Sequence, residues 1–139
     1  MIMAELPTDM LAYNRKLIED FRTNGAPEGR KLLLLTTTGA RTGEVRTSPM
    51  MYIPDGSRLL VIAANAGAPR HPNWYHNLVA HPDVRVEVGA DAYDATATVL
   101  TGAEREEVFA RIVADYSFFG EYQSNVEREI PVVALTRRS

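Results

Sequence analysis

The sequence predicts a mainly β fold with flanking helices, of the α+β class: an antiparallel, partly closed β-barrel with its helices outside. Two observations predict it. Apolar runs of strand length succeed one another across tight turns at residues 54–57 and 89–91, and only short helical stretches interrupt them. No Gly-x-Gly-x-x-Gly follows a strand, so a doubly wound dinucleotide fold has no support. At 139 residues the chain suits a single domain with one core. Residues 1–30 read as a lead-in and a helix, and residues 31–139 as the barrel.

In chain order, Asp9 is placed to cap a helix over residues 10–23. Its apolar residues Met10, Tyr13, Leu17, Ile18 and Phe21 recur at helical spacing, and Asn24-Gly25 with Pro27 supplies the stop. That face suits packing on a sheet. The rarer uses are lying on a membrane or closing over an apolar substrate. Residues 31–37 form the first strand, where four leucines, Leu32 to Leu35, run into Thr36, Thr37 and Thr38. Residues 46–53 and 58–64 are the second and third strands. They are expected to pair as a hairpin across Pro54-Asp55-Gly56-Ser57. A loop of small residues, 65–72, leads to Asn73, the expected cap of a short helix over 74–80 that His81-Pro82 ends. Residues 84–88 alternate Val-Arg-Val-Glu-Val, so that strand has one wet face, and residues 92–100 follow as its neighbour. Thr101 and Glu104 read as a capping box for a helix with Val108, Phe109, Ile112 and Val113 on one face and a Glu107–Arg111 pair on the other. The helix ends near Tyr116. Residues 117–129 are a loop or short helical turn, and residues 130–136 are the last strand.

Composition narrows the functions. The net charge is −3, which gives no reason to expect a nucleic-acid partner. The absence of cysteine excludes disulfides, thiolate metal sites and a cysteine nucleophile, and fits a cytoplasmic protein. No apolar stretch approaches bilayer length, and the acidic N-terminus lacks the apolar region of a signal peptide. His71, His76 and His81 recur at intervals of five, which on a helix would rotate them apart, so no metal site is expected. There is no Gly-x-Ser-x-Gly elbow. Glu104, Glu106, Glu107 and Asp115 read as a solvated helix face.

Three places could carry chemistry. The first is the turn Gly39-Ala40-Arg41-Thr42-Gly43 and the Arg46 that follows it. Free backbone N–H groups, the hydroxyls of Thr42 and Thr47 and two guanidinium groups suit an anionic ligand, phosphate above all. The ordinary alternative is a solvated hairpin, and the pattern is not a P-loop. The second is the small-residue loop after the third strand, which lets a ligand approach the backbone. The third is the aromatic set Trp74 and Tyr75, then Tyr116, Phe118, Phe119 and Tyr122. These either pack the core or wall a flat ring system, where a tyrosine hydroxyl could hydrogen-bond a developing oxyanion.

Taken together, TTTGARTGEVRTSP, AANAGAPRHPNWYHNL and ADYSFFGEYQSNVEREIPVV resemble, in order and at compatible spacings, the deazaflavin-dependent nitroreductases, the F420H2-dependent quinone reductases of actinobacteria. The resemblance implies a split β-barrel like that of the flavin-binding pyridoxamine-phosphate oxidase superfamily. It implies coenzyme F420, an 8-hydroxy-5-deazaflavin with a phosphodiester and an oligoglutamate tail. The implied reaction is hydride transfer from F420H2 to a quinone, a nitroaromatic or a similar electron-poor acceptor. Carried over by position, Arg41, Thr42, Gly43 and Arg46 would hold phosphate and tail. Ala63, Asn65, Ala66 and Gly67 would meet the pyrimidine end of the ring, and Trp74 and Asn77 the linker. Tyr116, Tyr122 and Asn65 would hydrogen-bond the acceptor, and Met51 and Phe119 would border it. The chain departs from the best-known nitroreductase of the family. It has Asn65 for a serine, Ala66 for a lysine, Met51 for a tyrosine and Phe119 for a third tyrosine, which implies an altered acceptor range. The rival readings are a flavin mononucleotide enzyme of the pyridoxamine-phosphate-oxidase type and a non-catalytic deazaflavin carrier. The resemblance further implies a monomer or homodimer, with peripheral contact at the inner face of the membrane.

Overall fold

The computed structural model describes residues 10–26 and 31–138, so the expected Asp9 cap and Pro27 stop lie outside the described residues. Helix α1 spans Met10–Asn24, and Gly25 closes it at φ +82°, donating its N–H to Phe21 O at 2.7 Å. Seven strands follow: β1 Leu32–Thr38, β2 Val45–Met51, β3 Ile53–Asp55, β4 Arg58–Ile62, β5 Asp83–Val88, β6 Asp91–Val99 and β7 Val132–Arg137. Helix α2, Asn73–Ala80, precedes β5. Helices α3, Gly102–Asp115, and α4, Phe118–Ser124, stand between β6 and β7.

All pairings are antiparallel, and the strand order is β2-β1-β5-β6-β7-β4-β3. Here the expected hairpin needs correction. The second strand predicted over 46–53 is two strands, and its main part, β2, pairs with β1 rather than with the strand that follows it. Only β3 pairs with β4, from Ile53↔Leu60 to Asp55↔Arg58. The single residue Tyr52 joins β2 and β3, which lie at opposite edges of the sheet. One residue advances the chain by only about 3.3 Å, so the sheet must curl until its edges meet. The Tyr52 N–H donates to Lys31 O at 3.2 Å at that seam. The product is a curled half-barrel with helices outside, the fold class the sequence predicts.

Curling explains why all four leucines of β1 are buried. Leu33 and Leu35 point into the barrel with Val61, Val86, Val133 and Leu135. Leu32 and Leu34 point outward, where Phe21, Leu17 and Ile18 of α1 cover them. A strand buried on both faces has no polar alternation to show. A second core lies outside β4 and β7, where Leu60, Val132 and Ala134 meet Val108, Phe109 and Ile112 of α3 and Phe119 of α4. Strand β5 alternates as expected, with Val84 and Val86 buried and Arg85 exposed.

Two expected caps are absent. Thr101 stands at the N-cap of α3 but makes no side-chain cap bond. Glu104 instead accepts from Arg58 at 3.2 Å, and Arg111 reaches Asp55 at 3.6 Å. Pro72, not Asn73, occupies the N-cap of α2.

Candidate functional site

The predicted residues gather at two neighbouring places. The first is an open groove of 980 Å³ between α1, the β1–β2 turn and α2. Its walls include Arg15 and Ile18 of α1, Arg41 and Arg46 of the turn, and Trp74 and Asn77 of α2. Thus the basic turn and the Trp-Tyr-x-Asn helix, more than 30 residues apart in the sequence, face one space.

The turn is held from within. The Gly43 N–H donates to Gly39 O at 3.0 Å, and the Gly39 N–H donates to Glu44 O at 2.7 Å. A Cβ at Gly39 would lie 3.1 Å from that carbonyl, so the turn admits only glycine without movement. Thr42 Oγ1 accepts from the Glu44 N–H, and Thr47 Oγ1 shares a 2.8 Å bond with Thr36 Oγ1. Asn77 ties the turn to α2. Its Oδ1 accepts from the Ala40 N–H at 3.0 Å, and its Nδ2 donates to the buried Thr37 Oγ1 at 3.1 Å. Asn77 therefore fixes the turn, with both ends of its amide engaged. The two expected guanidinium groups are not equivalent. Arg46 donates to Glu44 at 2.8 Å, whereas no carboxylate pairs with Arg41 among the described residues.

The second place is a ledge, the short turn Asn65–Gly67 at the end of β4. Asn65, Ala66 and Gly67 have φ of +51°, +53° and +80° in succession. Two non-glycine residues in this region cost about 1–2 kcal/mol each, so the surroundings must hold them there. The turn uses the N–H groups of Gly67 and Ala68, which donate to Ala64 O and Asn65 O. Those of Ala64, Asn65 and Ala66 have no backbone acceptor among the described residues, while Gly67, expected among the donors, is already engaged. The exposed Asn65 side chain is engaged too, its Nδ2 donating to Arg70 O at 2.9 Å. A Cβ on Gly67 would lie 3.0 Å from Tyr122 Cδ1, so the ring of Tyr122 rests on the ledge. Met51, Tyr116, Phe119 and Tyr122 pack in one cluster with Ala64. Tyr116 and Tyr122 are half-buried, and neither hydroxyl is hydrogen-bonded among the described residues. Phe119 lies in the core at 6 % exposure. Its neighbour Phe118, 4.4 Å away between ring centroids and 40 % exposed, is the ring that faces outward.

Sequence reasoning missed the residue that holds the ledge. Arg128, from the segment between α4 and β7, uses all five of its donors. Nε and Nη2 donate to Ala68 O, Nη2 also to Ala64 O at 2.8 Å, and Nη1 to Ala63 O and to His71 Nδ1 at 2.8 Å. Because a guanidinium only donates, His71 Nδ1 accepts, and the neutral ring carries its proton on Nε2. Burial, then the nearby Arg128 and His76, hold the His71 pKa below the ordinary imidazole value, and burial lowers that of Arg128. The rings of His71 and His76 meet at 5.6 Å between centroids, contrary to the expectation that the histidines diverge, because His71 precedes the helix and folds back on it. His76 also lines the groove, so the His71–His76 ring pair links the ledge segment to the groove wall. Gln123 buttresses this arrangement, donating to Arg128 O and accepting from Ile130 N and the buried Arg105. In the sequence, Arg128 falls in the stretch 117–129 that reads as a loop or short helical turn. No local pattern announces a guanidinium bound by carbonyls 60 residues away.

Together these features suit a ligand with a flat ring and an anionic tether. The groove has ligand-sized volume and an arginine, Arg41, that no carboxylate pairs among the described residues. The ledge offers backbone donors in a conformation that the protein maintains against strain.

The chain matches the F420H(2)-dependent quinone reductase family over residues 13–137. It is 41% identical over 122 residues to the F420H(2)-dependent quinone reductase Rv1261c of Mycobacterium tuberculosis (strain H37Rv), covering 84% of this chain and 78% of that protein. Among solved structures it is similar to an F420-H2 dependent reductase, FDR-A, at 38% identity and a TM-score of 0.69, with 76% of this chain and 94% of that one covered. A chain described as a domain-swapped dimer is 34% identical, with a TM-score of 0.70, over 91% of this chain and 99% of that one. A putative pyridoxamine 5'-phosphate oxidase from Listeria innocua, 14% identical at a TM-score of 0.56 over 90% of this chain and 93% of that one, shares the fold alone. By sequence and by fold, the chain belongs to the F420H(2)-dependent quinone reductase family.

Proposed function

We propose that this protein binds reduced coenzyme F420 across groove and ledge and catalyses its oxidation by a quinone, a nitroaromatic or a similar electron-poor acceptor. Reduced F420 supplies the hydride when bound; the protein supplies position and charge. Arg41 and Arg46, with the backbone N–H groups of Arg41 and Thr42, would hold the phosphate and acidic tail; those of Gly39, Ala40 and Gly43 are engaged within the turn and with Asn77. Trp74 would flank the linker, and Asn77 would keep the turn in place. The N–H groups of Ala64, Asn65 and Ala66 would meet the polar edge of the ring. Met51, Tyr116 and Tyr122 would border the acceptor, with a free tyrosine hydroxyl donating to its oxygen as negative charge develops. Phe118 is better exposed than Phe119 for contact with the acceptor.

The observation that carries this reading is the convergence of the basic turn and α2 on one groove, in a chain of this family. Titration with F420, followed by fluorescence, and oxidation of F420H2 with menadione test it. Saturable F420 binding with acceptor-dependent turnover is the expected result. Tight binding of flavin mononucleotide without F420 would overturn it in favour of the flavin reading. F420 binding without turnover over a broad acceptor panel would leave a carrier. The dimeric relative supports a homodimer, to be checked by light scattering. No helix among the described residues is long and apolar enough to cross a membrane, so contact with a membrane-borne quinone would be peripheral and visible as co-sedimentation with vesicles.

A further inference from the structure

We infer that Arg128 is the positioning residue of the ledge, and that its charge makes this turn a seat for the anionic form of the flat ring. The inference rests on the reading that the ledge meets the polar edge of F420.

The argument begins with peptide geometry. In a trans peptide the C=O and the following N–H point in opposite directions. The carbonyls of Ala63 and Ala64 point at the guanidinium, at 3.1 and 2.8 Å. The N–H groups of Ala64 and Asn65 must therefore point away from it. One cation thus orients two of the ledge's donors together. It also polarises their peptides, so that each N–H is a stronger donor than in an unligated peptide. The same guanidinium binds Ala68 O twice and His71 Nδ1, closing the whole segment from residue 63 to residue 71 around itself. That closure offsets the cost of two successive non-glycine residues at positive φ.

The carboxylates next to Arg128 in the chain, Glu127 and Glu129, are exposed to solvent. No carboxylate pairs with Arg128 among the described residues; its partners are carbonyls and a neutral imidazole. The groups that face the turn are Arg128 beneath it, His71 against the guanidinium, His76 behind His71, and the Tyr122 ring on Gly67. All are cationic or neutral. An 8-hydroxy-5-deazaflavin that loses its hydroxyl proton spreads the negative charge through the conjugated ring toward the pyrimidine oxygens. These are the atoms the ledge donors would meet.

The test compares wild type, Arg128→Ala and Arg128→Lys, with circular dichroism as the control for folding. Oxidised F420 is titrated by fluorescence for affinity. Absorbance at one pH near the free ring's own midpoint gives the anionic fraction of the bound ring. In wild type the bound ring is expected to be several-fold richer in anion than the free one. Arg128→Ala should bind at least tenfold more weakly and show no excess of anion. Arg128→Lys keeps the charge with three donors instead of five, so it should bind with intermediate affinity and keep the excess. A folded Arg128→Ala within threefold of wild-type affinity overturns the inference. If Arg128→Ala does not fold, a folded Arg128→Lys without the anion excess overturns it. Wild type that fails to bind F420 overturns the functional reading and this inference with it, whereas binding without any anion excess removes the inference alone.

Discussion

Arg41 and Arg46 look interchangeable as letters, yet they differ in what they already hold. Arg46 lies 2.8 Å from Glu44, and both side chains are mostly exposed. An anion there must share the guanidinium with a carboxylate. Arg41 has no such competitor among the described residues. Arg41→Ala should therefore weaken F420 binding more than Arg46→Ala. A lost charge-assisted bond is worth about 1.5–3 kcal/mol, roughly ten- to hundredfold in affinity. Fluorescence titration with long- and short-tailed cofactor checks this, and equal losses for the two variants would show that Glu44 does not compete. Gly67 makes a second prediction at this scale. Its φ is +80°, and an added Cβ would meet Tyr122 Cδ1 at 3.0 Å. Gly67→Ala should cost about 1–3 kcal/mol of stability, read in urea unfolding. It should also displace Tyr122, lowering turnover more than it weakens F420 binding.

At the scale of elements, the sequence showed periodicity well and pairing poorly. Helices α1 and α3 and strands β1, β4, β5, β6 and β7 stand close to where spacing puts them. The hairpin error has a physical origin. Residues 46–53 form a continuous run with a tight turn after it, and nothing local says that the sheet curls so that this run changes edges at Tyr52. The basic turn was legible because glycine and arginine cluster within eight residues. The Arg128 ledge was not, because its bonds span some 60 residues of chain. Helix α1 was legible as amphipathic, but the long-range pair that adds to its packing on the sheet was not. Arg22 donates twice to Glu87 of β5, at 3.0 and 2.7 Å. The Arg22 bond holds the Glu87 pKa below its usual value. A depressed carboxylate pKa stabilises the fold above the unfolded value of about 4.3 and loses that stabilisation as pH falls through the folded value. Arg22 is half exposed, so the pair is worth only about 0.5–1 kcal/mol. Glu87→Gln should be less stable than wild type at neutral pH by that amount, and the two should converge toward pH 3. Urea unfolding at the two pH values is the check, and a difference that persists in acid would mean the effect is packing.

For the molecule as a whole, β1 is the wall between two compartments, and adjacent leucines test whether they are separable. Leu34 and Leu35 are both fully buried. Leu35 faces the barrel interior with Val86, Val133 and Leu135, in the core that β1, β4, β5, β6 and β7 share. Leu34 faces outward and meets Phe21, Leu17 and Ile18 of α1. Each change to alanine removes the same atoms, worth about 2–5 kcal/mol where the cavity cannot collapse. Leu35→Ala should lower the stability of the whole barrel, with its midpoint shifted and the slope of the urea transition kept. Leu34→Ala should instead loosen α1 from the sheet, because a surface helix can shift to fill the space. Hydrogen exchange should then rise over residues 10–24 before it rises in β5 or β7. Since Arg15 and Ile18 of that helix line the groove, F420 affinity should fall in Leu34→Ala while the ledge keeps its conformation. Equal loss of exchange protection in α1 and the barrel in both variants would mean that helix and sheet unfold as one unit, and that the groove cannot open without the fold.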